Sequence, residues 1–262
     1  MGQGAGDRGW SANARAWARW VERDPHRQAF LDRAVRSALG TVRGARWLDA
    51  GCGEGRLARV LAARGADVLG VDIAAPLVAV ARRRAQSVRP AAVRARMRFE
   101  TSDLKARGLV PAGSMDGVLC ALALMHVARI EPVLNAWSRA LVPGGRLLVL
   151  LPHPCFMGPG TSWTARLPQV PRGAPDLEAL AVREYPVTGV QSFRFDSAFP
   201  APTINHHRSL EALSGAFATA GFLTRRLLEP RPPAGLVARD PAWRPYGRIP
   251  FFLLWDAIRA SP

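Results

Sequence analysis

Leu48-Asp49-Ala50-Gly51-Cys52-Gly53-Glu54-Gly55 is the stretch on which the reading of this chain turns. It follows a short apolar run, Arg46 to Ala50, and precedes an amphipathic stretch from Arg56 to Arg64. Glycines at alternate positions let the backbone turn sharply and approach a ligand with no Cβ in the way. The start of a following helix adds unpaired N–H groups and the positive end of a dipole. Strand, glycine loop and helix in that order predict a binding turn, but many nucleotide sites use something like it, so the flanking segments must decide which kind.

Toward the carboxyl terminus, short apolar runs alternate with helical ones. Asp67 to Val71 reads as a strand ending at Asp72, and Pro76 to Gln86 as a helix. Met97 to Glu100 reads as a strand leading to Asp103, and Met115 to Cys120 as a fourth strand. A helix over Ile130–Leu141 then leads through Pro143-Gly144-Gly145 into a fifth strand, Arg146 to Leu151. Strands alternating with helices predict a parallel sheet with helices on both faces. Each of the next two strands after the glycine loop ends on an acid. Asp72 can accept hydrogens from two ribose hydroxyls, and Asp103 can accept from an exocyclic adenine amine. A dinucleotide site of the G-x-G-x-x-G type fits less well, because position 56 is Arg.

Toward the amino terminus, Ser11 is placed to cap a helix carrying Trp10, Trp17 and Trp20 on one broad face, with Arg15, Arg19 and Arg23 on another. Pro25 interrupts, and Arg27 to Leu39 reads as a second helix. The Trp stripe packs on the main domain or lies over a ligand as a lid. Residues 152–205 break the α/β rhythm and are too long for an ordinary loop, which predicts a cap, with Ser192 to Phe195 as a hairpin strand. A helix from Ser209 to Ala220 and strands at Phe222–Leu228 and Ile249–Ile258 close the chain. The resulting division is a helical lid (1–43), a binding core (44–152), a substrate cap (153–205) and a closing helix and strands (206–262).

Composition narrows the class. Of 262 residues, 48% are hydrophobic, too many for a disordered chain. No run of about 18 apolar residues could span a bilayer, and no apolar leader opens the sequence. Three cysteines form neither a CxxC pair nor an even set, so the expectation is a reduced, cytoplasmic protein. Among 36 basic residues Lys105 is the only lysine, and the net charge is +16. A Lys-to-Arg bias beside abundant Ala, Gly and Pro matches a GC-rich coding sequence. The field still favours anionic partners, but the arginines are scattered beyond short clusters such as Arg82-Arg83-Arg84, and no RNA-binding signature accompanies them.

Taken together, LDAGCGEG (48–55), GVD (70–72), SDL (102–104), DGVLCALALMHV (116–127) and LVPGGRLLVLLP (141–152) resemble the class I S-adenosylmethionine-dependent methyltransferases. The resemblance is close over 44–152 and looser beyond. It implies a Rossmann-like fold with a seven-stranded, mostly parallel sheet. It also implies S-adenosyl-L-methionine as cofactor and S-adenosyl-L-homocysteine as product. Asp49, Gly51 and Gly53 should lie along the methionine part, Asp72 at the ribose with Ile73 on the adenine, Asp103 and Leu104 at the adenine edge, and Ala121 near the sulfonium. Asn13-Ala14-Arg15-Ala16-Trp17 with Arg27 resembles an amino-terminal pattern whose basic residue reaches the cofactor carboxylate. His153-Pro154-Cys155-Phe156, with His207-Arg208 and Glu229-Pro230 further on, resembles a subgroup with a small-molecule pocket under an antiparallel cap; Phe156, Tyr185 and His207 are its candidate substrate contacts.

Methyl transfer is a displacement at an activated sulfonium, so positioning and desolvation can be the protein's main contribution. A base is needed only where the acceptor must lose a proton. His126, after strand four, and His153, after strand five, are the candidates. His206 and His207 are adjacent and face opposite ways in an extended segment, so at most one faces a pocket. No His/Cys/carboxylate group has zinc-site spacing; a magnesium site with dispersed ligands stays open. The expected function is methyl transfer to an oxygen or nitrogen of a small organic molecule in specialised metabolism. The alternatives are a tRNA methyltransferase and a cyclase or isomerase on the same fold.

Overall fold

The computed structural model describes residues 5–23, 25–106, 108–164, 179–195, 197–239 and 243–261. Helices α1 (Ala5–Arg23) and α2 (Pro25–Leu39) precede the core, which opens with β1 (Arg46–Ala50), α3 (Arg56–Ala63), β2 (Asp67–Asp72), α4 (Ala75–Gln86), α5 (Ala91–Arg94) and β3 (Met97–Thr101). It continues through β4 (Met115–Ala121), a 3-10 turn at Leu124–His126, α6 (Glu131–Ala140) and β5 (Leu141–Pro152). Two small antiparallel pairs follow, β6 (Ser162–Thr164) with β7 (Ala179–Ala181) and β8 (Gly189–Phe193) with β9 (Thr203–His207). The chain ends with α7 (Leu210–Thr219), β10 (Phe222–Leu228), α8 (Ala234–Arg239), α9 (Arg244–Arg248) and β11 (Phe252–Arg259).

The main sheet has seven strands in the order β10-β11-β5-β4-β1-β2-β3, and β11 alone runs against the others. This is the α/β, mostly parallel arrangement that the strand–helix alternation predicts. From β1 the chain steps to β2 and β3 on one side, then crosses to β4 on the other. The reversal opens a crevice at the carboxyl ends of β1 and β4, where ligands of such sheets bind. β1 is central, and alternate residues serve the two faces. Trp47 joins a core cluster with Leu31 and Val35 of α2 and Leu61 of α3, while Leu48 joins one with Leu134 and Trp137 of α6 and Phe217 of α7. A strand covered on both sides needs a nearly continuous apolar run, and within Trp47–Ala50 the one polar exception is Asp49.

Burial also explains a charged side chain in the core. Asp256 of β11 is fully buried, and its carboxylate accepts from Arg146 at 2.9 Å and Arg226 at 2.8 Å. Arg146 also donates to the carbonyls of Ala38 and Leu39 at 2.8 and 2.7 Å. One arginine thereby closes the last turn of α2, satisfies a buried acid and joins the amino-terminal helices to the sheet.

Three local expectations change. Helix α1 begins at Ala5, so Ser11 lies inside it rather than capping it; Trp10, just before Ser11, packs edge-on against His126, and this tertiary contact favours helix where local signals favour a cap. Pro143-Gly144-Gly145 does not interrupt β5, which pairs with β4 from Leu141 onward across a register shift between Met115 and Gly117. The hairpin strand expected at Ser192–Phe195 lies earlier, at Gly189–Phe193.

Candidate active site

The glycine loop hangs from the end of β2. Gly51 and Cys52 donate backbone N–H groups to the carbonyl of Val71 at 2.8 and 2.9 Å, and Gly53 donates to Asp72 Oδ2 at 2.8 Å. Asp72 Oδ1 accepts from Ala74 N at 2.9 Å, at the start of α4. The Asp72 carboxylate is thus fixed by two backbone donors, and an ionised carboxylate has further lone pairs to offer. Gly51 has φ +76°, and a Cβ there would overlap that of Ala123. On the far side of the loop Leu122, at the end of β4, has φ +57°, a conformation rare for a bulky residue and concentrated at functional sites.

These elements open onto a cavity of about 730 Å³, within the usual range for a small-molecule site. Asp49, Gly51, Gly53, Asp72, Ile73, Asp103, Leu104, Ala121 and His126, all singled out in the sequence, line it together. Asp49 is 2% exposed, and its Oδ2 has no hydrogen-bond partner. Burial, reinforced by the nearby Asp72 and Glu54 carboxylates, pushes its pKa up to about 7 against a backbone hydrogen bond from Ala58. A buried acid short of a partner on the floor of a cavity suits a ligand bearing a positive charge. Asp103 accepts from Lys105 N at 2.9 Å and pairs with Lys105 Nζ at 3.3 Å.

The opposite wall comes from α1 and the β8–β9 hairpin. Asn13 of α1 is buried and joined by both ends of its amide to the backbone of Ala201, donating to its carbonyl and accepting from its N–H at 3.0 Å each. Trp17 stacks on Trp20, and both rings meet Phe195. Arg84 of α4 links this wall to the glycine loop, donating to Glu54 Oε2 at 2.5 Å, to the Ala18 carbonyl at 3.3 Å and to Glu22. His126 Nδ1 lies 2.7 Å from the Ile204 carbonyl. A carbonyl only accepts, so Nδ1 carries the proton and the lone pair is on Nε2. Burial lowers the His126 pKa to about 4, partly offset by that hydrogen bond.

Four sequence-predicted residues are not among the cavity's lining. His153 is buried in the turn after β5, its Nδ1 accepting from Cys155 N at 3.2 Å and its Nε2 lying 3.1 Å from Glu229. Phe156 packs against the His153 ring at a tilt of 39°. Tyr185 Oη accepts from Leu210 N at 2.9 Å, and His207 is buried with Nε2 2.8 Å from the Tyr185 carbonyl. In these contacts His153 ties the turn after β5 to the segment after β10, and His207 and Tyr185 tie β9 and the start of α7 to the segment before β8. The Arg27 side chain lies outside the described residues. His206, rather than His207, reaches the cavity; the parity was legible, since it shares its face of β9 with Ile204. Arg208 binds the carbonyls of Val127 and Ala128 at 2.7 and 2.8 Å, fastening the turn that bears His126. Asn13 was visible only as part of a pattern, because its partner is 188 residues away.

Comparison with known proteins agrees with this geometry. A family model described as a methyltransferase domain matches residues 48–149. The chain is 35% identical over 185 residues to a demethylmenaquinone methyltransferase of Thermus thermophilus, a match covering 69% of this chain and 75% of that protein. It is 36% identical over 137 residues to a ubiquinone biosynthesis O-methyltransferase of Xanthomonas oryzae, covering 50% of this chain and 55% of that one. Among solved structures, an S-adenosylmethionine-dependent methyltransferase of Mesorhizobium loti superposes with a TM-score of 0.70 at 27% identity, over 86% of this chain and 96% of that one. The chain belongs to the class I S-adenosylmethionine-dependent methyltransferases. It is an enzyme of that class, with S-adenosylmethionine as its cofactor. Among the described residues no cluster of three or more His, Cys, Asp or Glu could hold a metal ion, and no helix is long and apolar enough to cross a membrane.

Proposed function

We propose that this methyltransferase acts on an oxygen or nitrogen of a small organic acceptor, held between the glycine loop and α1 with its hairpin, in a specialised biosynthetic pathway. The supporting observation is the segregation of charge in the cavity. Its carboxylates Asp49, Glu54, Asp72 and Asp103 and its cations Arg56 and Lys105 lie at the carboxyl ends of β1 and β2 and in the segments that follow β1 and β3, whereas α1, the hairpin and the turn after β4 contribute Trp10, Asn13, Val190, Ile204 and two neutral imidazoles. The charged end suits the polar, cationic cofactor and the other end an uncharged acceptor, because an unpaired charge buried there would be costly.

Bound S-adenosylmethionine supplies an electrophilic methyl group. The chain's own residues supply position. Asp72 takes the ribose hydroxyls on its remaining lone pairs, Asp103 takes the adenine amine, and Ile73 and Leu104 flank the base. Asp49 meets the amino group of the methionine part. His126 presents an unprotonated Nε2 toward the acceptor, accepts the hydrogen bond of its hydroxyl or amine, and so aims the nucleophile's lone pair at the methyl group. With its pKa near 4 this imidazole is neutral at pH 7.

The arginine field weighs against the RNA reading. Arg59, Arg84, Arg146 and Arg226 are engaged with internal carboxylates, and Arg82 and Arg208 with backbone carbonyls. The deciding experiment is a calorimetric titration of the purified chain with S-adenosylhomocysteine, followed by acceptor screening for methyl gain. Quinone-biosynthetic acceptors come first in that screen because of what the relatives are named for. Micromolar binding, weakened at least roughly tenfold by Asp72→Ala through the loss of two charge-assisted hydrogen bonds, is expected. Unchanged affinity in that variant would overturn the assignment of the site.

A further inference from the structure

Among the described residues seven large apolar side chains are exposed to 38–66%, and five of them (Met157, Val182, Val187, Val190 and Ile204) fall between positions 157 and 204. Two do double duty: Val190, 66% exposed, and Ile204, 41% exposed, also line the cavity. The hairpin register explains how. In β8–β9, Val190 stands opposite His206 and Ser192 opposite Ile204, so these four share one face. Thr203 and His207 occupy the other face and are buried. A hairpin covered on one side ordinarily turns polar residues outward. Here that face carries Val190 and Ile204, diagonal to each other across Ser192 and the half-buried His206, and each of the two apolar side chains both lines the cavity and reaches solvent. Exposed apolar side chains at the mouth of a cavity mark a binding surface, and their place on the cavity wall identifies what they bind.

We propose that the acceptor is amphiphilic. Its uncharged polar head sits at His126 and His206, and an apolar chain leaves the cavity across Val190 and Ile204. The inference deepens the methyltransferase reading and rests on it. The aliphatic rim would gain from each methylene it covers, a full burial being worth about fourfold in affinity. It offers nothing to a charged tail, since neither Val190 nor Ile204 carries a polar group.

The test uses the full chain saturated with S-adenosylhomocysteine, titrated by calorimetry with 4-propylphenol and 4-heptylphenol, which share a head and differ by four methylenes. Half-covered methylenes at about twofold each predict that the longer probe binds roughly tenfold tighter or more. Val190→Ser with Ile204→Ser should remove most of that advantage while leaving the affinity for S-adenosylhomocysteine, held at the opposite, charged end of the cavity, unchanged. Both positions are exposed, so the variant is expected to fold, and its unchanged cofactor affinity verifies this. Equal affinities for the two probes, no binding of either, or a chain-length advantage that survives the double substitution would overturn the proposal. So would a variant whose only change is in self-association, which would assign the face to a second copy of the chain. Failure of S-adenosylhomocysteine itself to bind would strike the methyltransferase reading, and is seen before any phenol is added.

Discussion

Gly51 joins the backbone of the loop to the space of the cavity. Its left-handed φ of +76° costs an L-residue about 1–2 kcal/mol, and any Cβ there meets Ala123. Gly51→Ala should therefore weaken S-adenosylhomocysteine binding more than tenfold by calorimetry. Adding Ala123→Gly, which removes the overlap but not the backbone strain, should restore only part of the loss. His126 makes a different kind of contribution. Its Nδ1 is committed to Ile204 and its ring meets Trp10 edge-on, so the imidazole is held in one orientation. His126→Ala should lower kcat by roughly 10–100-fold, the scale of a lost positioning or proton-accepting group. Cofactor affinity should stay within about twofold; a parallel fall in both would place His126 in cofactor binding instead.

At the scale of elements, α1 matters more than its polar sequence suggests. It reaches the sheet through few contacts, and these are specific. Asn13 mimics a strand partner for Ala201, and Arg84 spans from the glycine loop to the Ala18 carbonyl and Glu22. Glu54, only 4% exposed, depends on Arg84 and Arg59 for its charge balance, and removing one partner of a buried charge is costly. Arg84→Met should speed tryptic cleavage within α1, which carries Arg15, Arg19 and Arg23, and should raise the dissociation constant for the cofactor about fivefold. Arg84→Lys should recover part of each. Cleavage unchanged in the Met variant would show that α1 is held by its tryptophans alone. The arginine triplet at 82–84, which reads in the sequence as compositional bias, contains two structural members. Arg82 donates twice to the Phe99 carbonyl, while Arg84 ties helix to loop. Nothing in the run itself distinguishes them from Arg83.

For the whole molecule, two buried groups set opposing pH dependences. His126 has its pKa lowered to about 4, so its contribution to stability is complete above about pH 6.5 and is lost as pH falls toward 4. Asp49 has its pKa raised to about 7, so its contribution is complete below about pH 4 and is lost as pH rises through 7. At neutral pH the protein keeps at the base of its cavity a carboxylate that costs it stability. Asp49→Asn should therefore raise the Tm of the ligand-free protein at pH 8, by about 2–4 °C for each kcal/mol relieved. The gain should shrink markedly at pH 5, where the acid is protonated in the folded protein and ionised only in the unfolded chain, and S-adenosylhomocysteine affinity should fall. A Tm gain of equal size at both pH values would mean that the carboxylate's charge is not the cause.

The sheet and the glycine-loop wall of the cavity were legible in the sequence alone. Both follow from local rules: apolar runs of strand length alternating with helical periods, glycines at alternate positions, and an acid at each of two successive strand ends. Phe222–Leu228 needed no more than its own apolar and branched residues to be read as a strand, and the structure has it at those bounds. The opposite wall was different. Whether His126 or His153 meets the cavity depends on what lies against each ring, the Ile204 carbonyl 78 residues away in one case and Glu229 76 residues away in the other. His206 and His207 differ only in which face of β9 turns to the cavity, and that is decided by how the β8–β9 hairpin packs on the rest of the molecule. Along a helix or strand, side-chain direction repeats with the backbone, so spacing in the chain reports it. In the turns and hairpins that complete this site, direction is set by long-range hydrogen bonds and packing, which exist only once the chain has folded.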